Sequence, residues 1–462
     1  MSDQEKDTSS QTEDLWEKIQ YKPYCDPTKR MDFVLFFDVR DGNPNGDPDA
    51  GNLPRMDPQT RQGIVTDVCI KRKIRDYLTE VLKRSIYIQS NAALNTLYFE
   101  AARKVAEDDP DKDAEISAEE KKRRSEDKEA VGALLVELDA DNNPGFKALI
   151  RPPEGDQVGQ PKAGAPTGSA AAEEEVHFWD WLASIIDSVD GLEFDPECGT
   201  LSYLGEANSK DKFKKMLSEP EFEPDPWKAQ IDQLAKLLDA AKPKRSAQER
   251  KARNAVKRKM CELYDDIRLF GGVLTAGTNA GQIRGPMQLT FGRSVEPIFQ
   301  MDAAITRCAI TTASDFKKKQ TEFGRKPWLG WAVYRQHGFF NPLLGRSREQ
   351  DGTGITRKDL ARFWEALACM FRNSDSASKG EMTMHDIIVF VHDHRRGNAP
   401  SHLLFDKVQC DSIEYKGGND DNKKEGVTTI KRDGFDKYYA ISVGDSPNDK
   451  IKVERPLSDI WQ

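Results

Sequence analysis

The residues best suited to chemistry lie in one acidic loop with the sequence DGNPNGDPD. Its first half, Asp41-x-Asn43-x-Asn45-Gly46, has the spacing of a calcium-binding loop. A complete loop of that kind needs a bidentate Glu at its twelfth position and a helix before it. Here the twelfth position is Asn52, and a strand-like run precedes the loop. We therefore predict no metal site of this type.

The carboxylates of the same loop offer a second kind of chemistry. Asp41, Asp47 and Asp49 could hold Mg²⁺ for RNA cleavage, and a metal-dependent ribonuclease using residues 41–57 is the alternative function. Cleavage that needs Mg²⁺ or Mn²⁺ and disappears in Asp41→Ala or Asp47→Ala would favour that alternative.

Other motifs give little support for catalysis. The glycines around Arg284 follow neither the dinucleotide nor the phosphate-loop pattern, so nucleotide hydrolysis is not predicted. His392 and His394 could face one side of a strand, but no third or fourth metal ligand is evident. No Ser/His/Asp or Cys/His set can be assembled from spacing. The sequence predicts no catalytic residue, no metal and no cofactor.

Basic residues offer nucleic-acid binding instead. Lys71, Arg72 and Arg75 lie close together on one side of a predicted helix. One reading is a solvated charged face, and the other is a track for phosphate groups. A second basic stretch, residues 242–259, has the same two readings.

These side chains are carried by a strand, a loop and a helix. The run of Val and Phe at 33–37 predicts a buried strand, and the Gly, Pro, Asn and Asp that follow predict a long loop. A helix from Val68 to about Lys83 is predicted, with Thr66 as its N-cap. Further runs predict strands at 85–88, 287–312, 328–334 and 387–391 and a helix at 360–371.

Charge is distributed unevenly along the 462 residues. The chain has a net charge of −9, but residues 107–239 hold 33 acidic and 15 basic residues, a net charge of −18. The rest of the chain is therefore basic, at +9, which suits a nucleic-acid binder. The seven Cys are scattered and contain no C-x-x-C pair, which predicts reduced thiols. The sequence also has no apolar run long enough for a membrane span, so a cytoplasmic protein is predicted.

Composition also predicts the division of the chain. Residues 1–30 form an N-terminal extension, and a core comprises residues 31–98 and 246–411. Residues 99–245 form an acidic, mainly helical insertion, and residues 412–462 form C-terminal strands.

Several colinear segments resemble one known family. FDVRDGNPNGDPDAGNLPRMDPQTRQGIVTDVCIKRKIRDYL (37–78) closely resembles the signature of the CRISPR Cascade backbone subunit of type I-C systems, the Cas-seven family. Later matching segments, in the same order, are YDDIRLFGGVLTAGTNAGQIRGPMQLTFGRSVEPI (264–298), ITRCAITT (305–312), GWAVYRQHGFF (330–340), SKGEMT (378–383) and GNAPSHLLFDKV (397–408). The long acidic insertion departs from the family pattern.

The resemblance implies an α+β fold with a core like an RNA-recognition motif (ferredoxin-like), a sheet with helices on one side and a protruding thumb hairpin at about 313–328. It also implies a non-catalytic backbone subunit that polymerises along the guide RNA. Its partners would be the CRISPR guide RNA, target DNA through that guide, further copies of itself and other Cascade subunits, with no membrane. In related type III subunits an Asp in the loop after the first strand cuts RNA, which keeps the ribonuclease alternative open.

The resemblance and the basic residues together give a set of expected site residues. The expected RNA contacts are Lys71, Arg72, Arg75, Arg284, Lys317, Lys318, Lys319, Arg325 and Lys326. Asn43, Asn45 and Gly46 are expected to shape the first loop without touching RNA.

Overall fold

The structure is a computed structural model that describes most of the chain. The described residues are 14–111, 116–132, 136–138, 178–189, 192–195, 200–203, 209–241, 246–274, 281–308, 321–346, 352–412, 435–446 and 449–461.

Helices and strands both occur throughout these ranges. The α-helices are α1 (Leu15–Ile19), α2 (Asp67–Glu80), α3 (Leu94–Ala106), α4 (Ala118–Gly132), α5 (Phe178–Ile185), α6 (Lys210–Leu217), α7 (Lys228–Ala241), α8 (Ser246–Leu263), α9 (Asp265–Phe270), α10 (Pro342–Gly345), α11 (Arg357–Cys369), α12 (Ser401–Phe405), α13 (Phe435–Tyr438) and α14 (Pro456–Trp461). The strands are β1 (Met31–Gly42), β2 (Gly46–Asp47), β3 (Leu53–Pro54), β4 (Gln62–Val65), β5 (Val136–Leu138), β6 (Leu192–Asp195), β7 (Thr200–Tyr203), β8 (Gly271–Leu274), β9 (Gly281–Arg284), β10 (Met287–Leu289), β11 (Gly292–Pro297), β12 (Gln300–Arg307), β13 (Glu322–Phe340), β14 (Glu381–His392), β15 (Val408–Ser412), β16 (Tyr439–Val443) and β17 (Ile451–Glu454).

The chain divides into two compact units. The first contains residues 1–86, 264–271 and 284–462, and the second contains residues 87–263 and 272–283. The predicted insertion lies inside the second unit, which also includes α8, a helix that the sequence had assigned to the core.

A large antiparallel sheet forms the centre of the first unit. Its strand order is β17-β14-β1-β13-β11-β4, and β10 and β12 also pair with β13. The central strand β1 pairs with β13 on one side and with β14 on the other. Both faces of β1 are buried, which explains its continuous apolar run in place of an alternating one.

One face of the sheet packs against α2 and α11. Phe33, Leu35 and Phe37 of β1 face these helices and are fully buried. The ring of Phe33 lies edge-on to that of Trp364, with the ring centroids 5.1 Å apart. Thr356 and Asp359 form a capping box that begins α11.

The opposite face is also covered, which the sequence did not predict. Val34 and Phe36 of β1 are fully buried on this side by a cluster that includes Leu404, Phe405 and Tyr439. The cover comes from α12, α13 and the β15–β16 pair. The expected sheet with helices on one side is therefore wrong for this unit, because the C-terminal segment occupies the other side.

The N-terminal segment is docked on α11. Trp16 is buried, and its backbone N–H donates to the carboxylate of Glu365 at 2.6 Å. Tyr77 of α2 donates its hydroxyl to the same carboxylate at 2.8 Å. Burial raises the pKa of Glu365, against the lowering effect of these two hydrogen bonds.

The second unit has its own interior. Phe178, Trp181 and Trp227 cluster with the apolar faces of α6 and α7. Elsewhere in this unit α3, α4 and α8 pack together, and ion pairs join α8 to α4: Arg258 to Asp127 at 2.7 Å and Lys251 to Glu126 at 2.5 Å. Much of the basic face of α8 is thus paired within the unit.

Two local predictions differ from the structure. Residues 85–88 form no strand, and the backbone carbonyl of Ser85 instead accepts a hydrogen bond from the N–H of Asp265. The helix predicted to reach Lys83 ends at Glu80. Within the described ranges, every helix is too short or too polar to cross a membrane.

Candidate nucleic-acid interface

The loop after β1 is held by hydrogen bonds of its own asparagines. The side-chain amide of Asn43 donates to the carbonyl of Asn52 at 2.6 Å. The side-chain oxygen of Asn45 accepts from both the N–H and the hydroxyl of Thr66, at 3.0 and 2.9 Å. Thr66 in turn accepts from the N–H of Cys69, which confirms the predicted cap of α2. Asn45 therefore links the loop to the start of α2.

Glycine is required where this loop approaches other backbone. A Cβ on Gly42 would lie 1.9 Å from the carbonyl oxygen of Lys379, and one on Gly46 would lie 1.9 Å from the side-chain oxygen of Asn52. The ammonium of Lys379 donates to the carbonyl of Pro44 at 3.2 Å. The turn around Lys379 thus packs directly on the loop.

The loop carboxylates do not converge on one point. Asp41 and Asp49 are exposed, whereas Asp47 accepts from the N–H of Asp49 and lies 3.5 Å from Arg55. Within the part of the chain that the structure describes, no group of three or more His, Cys, Asp or Glu residues is arranged to hold a metal ion. Nothing in the geometry favours the ribonuclease alternative.

The three expected contacts on α2 have different surroundings. Arg72 is half-exposed and pairs with Asp76 at 2.8 Å. Lys71 pairs with Asp67 at 2.9 Å, with only 13% of its side chain exposed. Arg75 is buried, and its Nε donates to the carboxylate of Asp266 at 2.8 Å. Arg75 therefore faces the protein interior, not solvent.

Arg75 borders a buried ionic network built on α9. Arg268 binds both Asp265, at 2.6 Å, and Asp359, at 2.9 and 3.0 Å. Arg84 also binds Asp265, at 2.8 Å. Burial alone would raise the pKa of Asp359, but the hydrogen bonds and charge of Arg268 outweigh it and hold that pKa below its ordinary value. This network joins α2, α9 and α11. The sequence DDIR (265–268) at the start of α9 therefore stabilises the fold.

Phe270 connects these helices to the segment that carries Arg284. Lys71 and Arg75 lie over its ring, at 5.7 and 5.4 Å from the centroid. A Cβ on Gly285 would lie 2.1 Å from the backbone carbon of Phe270, so only glycine fits there. Arg284 is exposed, and its side chain forms no ion pair with another described residue.

The predicted thumb hairpin corresponds in part to a two-stranded ribbon of β12 and β13. Arg325 is 84% exposed and pairs with Asp302 at 2.8 Å, while Lys326 lies opposite Ala303. Phe323 on the same strand is 78% exposed. Lys317, Lys318 and Lys319 lie outside the described residues.

The expected contacts lie at both ends of β13. Lys326 is near its start, whereas Phe340 at its end pairs with Met287, three residues after Arg284. A strand rises about 3.3 Å per residue, so these two positions are about 45 Å apart along the strand. The structure does not bring Arg284 and the ribbon together at one point, and a nucleic acid touching both would extend along the unit.

Exposed residues at the base of the ribbon were missed by the sequence reasoning. Arg61 is exposed with a positive φ of 58°, and its backbone carbonyl accepts from the N–H of Ile298. Phe299, next to Ile298, is 69% exposed. Exposed cations and exposed aromatic rings are both common on surfaces that bind single strands. The only sequence signal was an arginine in a Gly/Pro-rich loop, which is too common to single out.

The two histidines considered as metal ligands have other partners. The Nε2 of His392, which is fully buried, lies 2.7 Å from the carboxylate of Asp32. The Nδ1 of His394 accepts from the N–H of Arg396 at 3.2 Å.

Comparisons with known proteins agree with the segments identified in the sequence. A family model described as CRISPR-associated protein Cas7 matches residues 29–134 and 210–431. A CRISPR-associated protein Cas7 of Haloferax volcanii is 49% identical over 51 residues, which are 11% of this chain and only 15% of the relative's length.

Two solved structures are similar at a lower level. One, a CRISPR RNA-guided surveillance complex described as pre-nicking, has a TM-score of 0.36 and 14% identity, covering 80% of this chain and 79% of its own. The other, a CRISPR RNA-guided surveillance complex, has a TM-score of 0.30 and 13% identity, covering 80% of this chain and 77% of its own.

Proposed function

This chain belongs to the CRISPR-associated Cas7 family, and from that premise we propose that it is a backbone subunit of a type I CRISPR surveillance complex. In this role it binds the guide RNA in the cytoplasm, and further copies of the chain bind along the same RNA. The guide then pairs with target DNA, and other Cascade subunits complete the particle. The chain itself catalyses no reaction.

The observation that carries this proposal is the extent of the family match. It includes β1, the loop, and α2 in one stretch, and the ribbon, α11 and β14 in the other. These elements belong to the first unit, but the match also includes α3, α4, α6, α7 and α8 of the second unit. The family assignment therefore rests on parts of both units, including residues 99–134 and 210–245 of the expected insertion.

The strand order supports the finer assignment of a core like an RNA-recognition motif. The four central strands lie in the order β14-β1-β13-β11, and helices α2 and α11 follow β1 and β13 in sequence. Two strand–helix pairs in that order match the ferredoxin-like pattern in which the first and third strands are central. The covered second face means that RNA binds elsewhere than on the open sheet surface used by many such modules.

The chemistry of the exposed cations suits a guide carrier. A subunit that accepts any guide must bind phosphate and sugar and leave the base edges free for pairing. Arg284 and Arg325, with the half-exposed Arg72 and the half-buried Lys326, provide such charge on the first unit. Arg75 and Lys71 act through the fold, by positioning α2 against Phe270.

The proposal includes a head-to-tail contact between successive copies of the chain. A contact in which one patch binds a different patch on the next copy generates an open helical array when the rotation does not close. Such an array grows until the guide RNA ends, so guide length sets the number of copies.

Co-purification tests the proposal. The chain is expressed with a matching CRISPR array and its partner subunits, purified at moderate salt, and its bound nucleic acid is sized and sequenced. We expect a high-mass particle with RNA of discrete repeat–spacer length. A chain that stays free of nucleic acid with all partners present would overturn the proposal.

A further inference from the structure

The turn after β14 is held in one shape by side-chain hydrogen bonds to its own backbone. The N–H of His394 donates to the side-chain oxygen of Asn398 at 3.1 Å, and the N–H of Arg396 donates to Nδ1 of His394 at 3.2 Å. Gly397 has a φ of 91°, a conformation that favours glycine. The N–H of Gly397 closes the turn on the carbonyl of His394 at 2.9 Å. The turn is thus preorganised.

A buried pair anchors this turn to the sheet. The N–H of Asn398 donates to Nδ1 of His392 at 2.8 Å, so that nitrogen carries a lone pair and the proton lies on Nε2. The Nε2–H then donates to Asp32 at 2.7 Å. Ser401 donates to the other oxygen of Asp32 at 3.0 Å. Both Asp32 and His392 are fully buried.

Such a pair adds little to stability compared with apolar residues of similar size. A buried carboxylate and imidazole lose their hydration, and their mutual hydrogen bond does little more than offset that loss. What the pair provides is geometry, because it fixes the position of Asn398 and through it the rest of the turn. The arrangement therefore points to a requirement for a defined turn at this end of the sheet.

The turn presents two arginines to solvent. Arg395 and Arg396 are exposed, and neither guanidinium forms an ion pair with a carboxylate in the described ranges. The one carboxylate in the turn, Asp393, lies 3.7 Å from Lys29 and so is already partly neutralised. Arg30 is a further cation beside the turn, because a Cβ added at Gly397 would lie 3.0 Å from the Cδ of Arg30. Arg30 itself lies 3.5 Å from Asp32. The four cations Lys29, Arg30, Arg395 and Arg396 still outnumber the two carboxylates of Asp32 and Asp393, so the local charge is positive.

We propose that the turn from His392 to Asn398 is a binding site for the phosphodiester backbone of a nucleic acid, with Arg395 and Arg396 as the phosphate contacts. Guanidinium groups bind phosphate in a planar, two-point geometry, and a rigid turn reduces the entropy lost on binding.

The site is separate from the ribbon. The turn lies beside the start of β1, and the asparagine loop lies at its end, 11 residues or about 36 Å further along the strand. The strand that binds there is either another part of the guide RNA or DNA that the guide has engaged. The proposal rests on the proposed nucleic-acid function of the chain.

The test compares two double variants of the full chain in the assembled complex. In the first, Arg395 and Arg396 are each replaced by Glu. In the matched control, Lys212 and Lys215 are replaced by Glu, because both are exposed on α6 without an ion pair in the described ranges. Three quantities are measured for each at several salt concentrations: guide RNA retained per chain, affinity of the loaded particle for complementary single-stranded DNA, and affinity for duplex target.

We expect the first variant to lose about tenfold or more in one of these quantities. The slope of log K against log salt should fall by about 1.4 for a single strand, or about 1.8 for duplex DNA, because two phosphates are no longer bound. The control should match the wild type. A loss in RNA retention identifies the guide as the ligand, and a loss in DNA affinity with normal retention identifies DNA.

A third variant, Asn398→Ala, keeps both arginines but removes an acceptor that shapes the turn. It should lose affinity by a smaller factor without a change in salt slope. If the wild type binds RNA and DNA and the first variant equals it in all three quantities, the turn proposal is wrong while the proposed function stands. If the wild type binds no nucleic acid, both are wrong.

Discussion

Arginines in the first unit occupy two contrasting environments. Around α9, Arg75 and Arg268 are buried and bound to Asp266, Asp265 and Asp359. At the end of the sheet, Arg284, Arg395 and Arg396 are exposed and unpaired among the described residues. The residue type is the same in both places, so the difference in role comes from burial and from the carboxylates nearby.

The contrast decides which arginines can bind phosphate. An arginine in a buried pair would have to leave a carboxylate uncompensated in the interior, at a cost of several kcal/mol. An exposed, unpaired arginine can bind phosphate and release a counterion without such a cost. We therefore assign the buried group to the fold and the exposed group to binding.

The largest expected effect comes from breaking the buried group. Arg268→Ala should lower the free energy of unfolding by about 3–5 kcal/mol, since Asp265 and Asp359 would lose their shared partner. Urea denaturation followed by tryptophan fluorescence measures this loss. Arg284→Ala is the matched control and should change stability by about 0.5 kcal/mol or less. Equal losses in the two variants would remove the distinction between the groups.

Acid sharpens the comparison because the carboxylates of the buried ion pairs become protonated, whereas the exposed arginines have no carboxylate partner and stay charged. The pKa of Asp359 is lowered in the folded protein, so the unfolded chain binds a proton more readily. The pair's contribution is complete above the unfolded pKa of about 3.8 and is lost as pH falls through the folded value, with a slope of at most about 1.4 kcal/mol per pH unit. Unfolding free energies between pH 6 and pH 2 should fall less steeply in Asp359→Asn than in the wild type. Arg284→Ala should follow the wild-type curve, and a curve for Asp359→Asn parallel to the wild type would contradict the pairing.

The smallest effect on stability is expected for Arg72, which shares features of both groups. Arg72 is half-exposed and paired with Asp76 one turn along α2, so Arg72→Ala should cost about 0.3–0.5 kcal/mol. Thermal unfolding at low and high salt checks this, because the difference should shrink at high salt. A loss above about 2 kcal/mol would place Arg72 with the buried group.

Local features of the fold followed directly from the sequence. The strand at β1, the Thr66 cap and the apolar stripe of Ile70, Ile74 and Leu78 depend on residues a few positions apart. Val81 continues the helical spacing of these residues, but it is 43% exposed because α2 ends before it.

Features that depend on residues far apart in the chain could not be predicted from the sequence. Arg75 meets a carboxylate 191 positions away, so no local pattern distinguishes it from a solvated arginine. The cover on the second face of the sheet also comes from a distant segment, around Phe405 and Tyr439. His392 raised the possibility of a metal site, whereas its partner is Asp32, 360 positions earlier.

The salt dependence of RNA binding tests the central claim most directly. Affinity for a guide-length RNA is measured at several salt concentrations for the wild type and for a variant with Arg284, Arg325 and Lys326 changed to Ala. If these three cations bind phosphates of a single strand, the slope of log K against log salt should fall by about 2, or roughly 0.7 for each phosphate, with unfolding unchanged. An unchanged slope in a folded variant would contradict the assignment of these three cations to RNA binding.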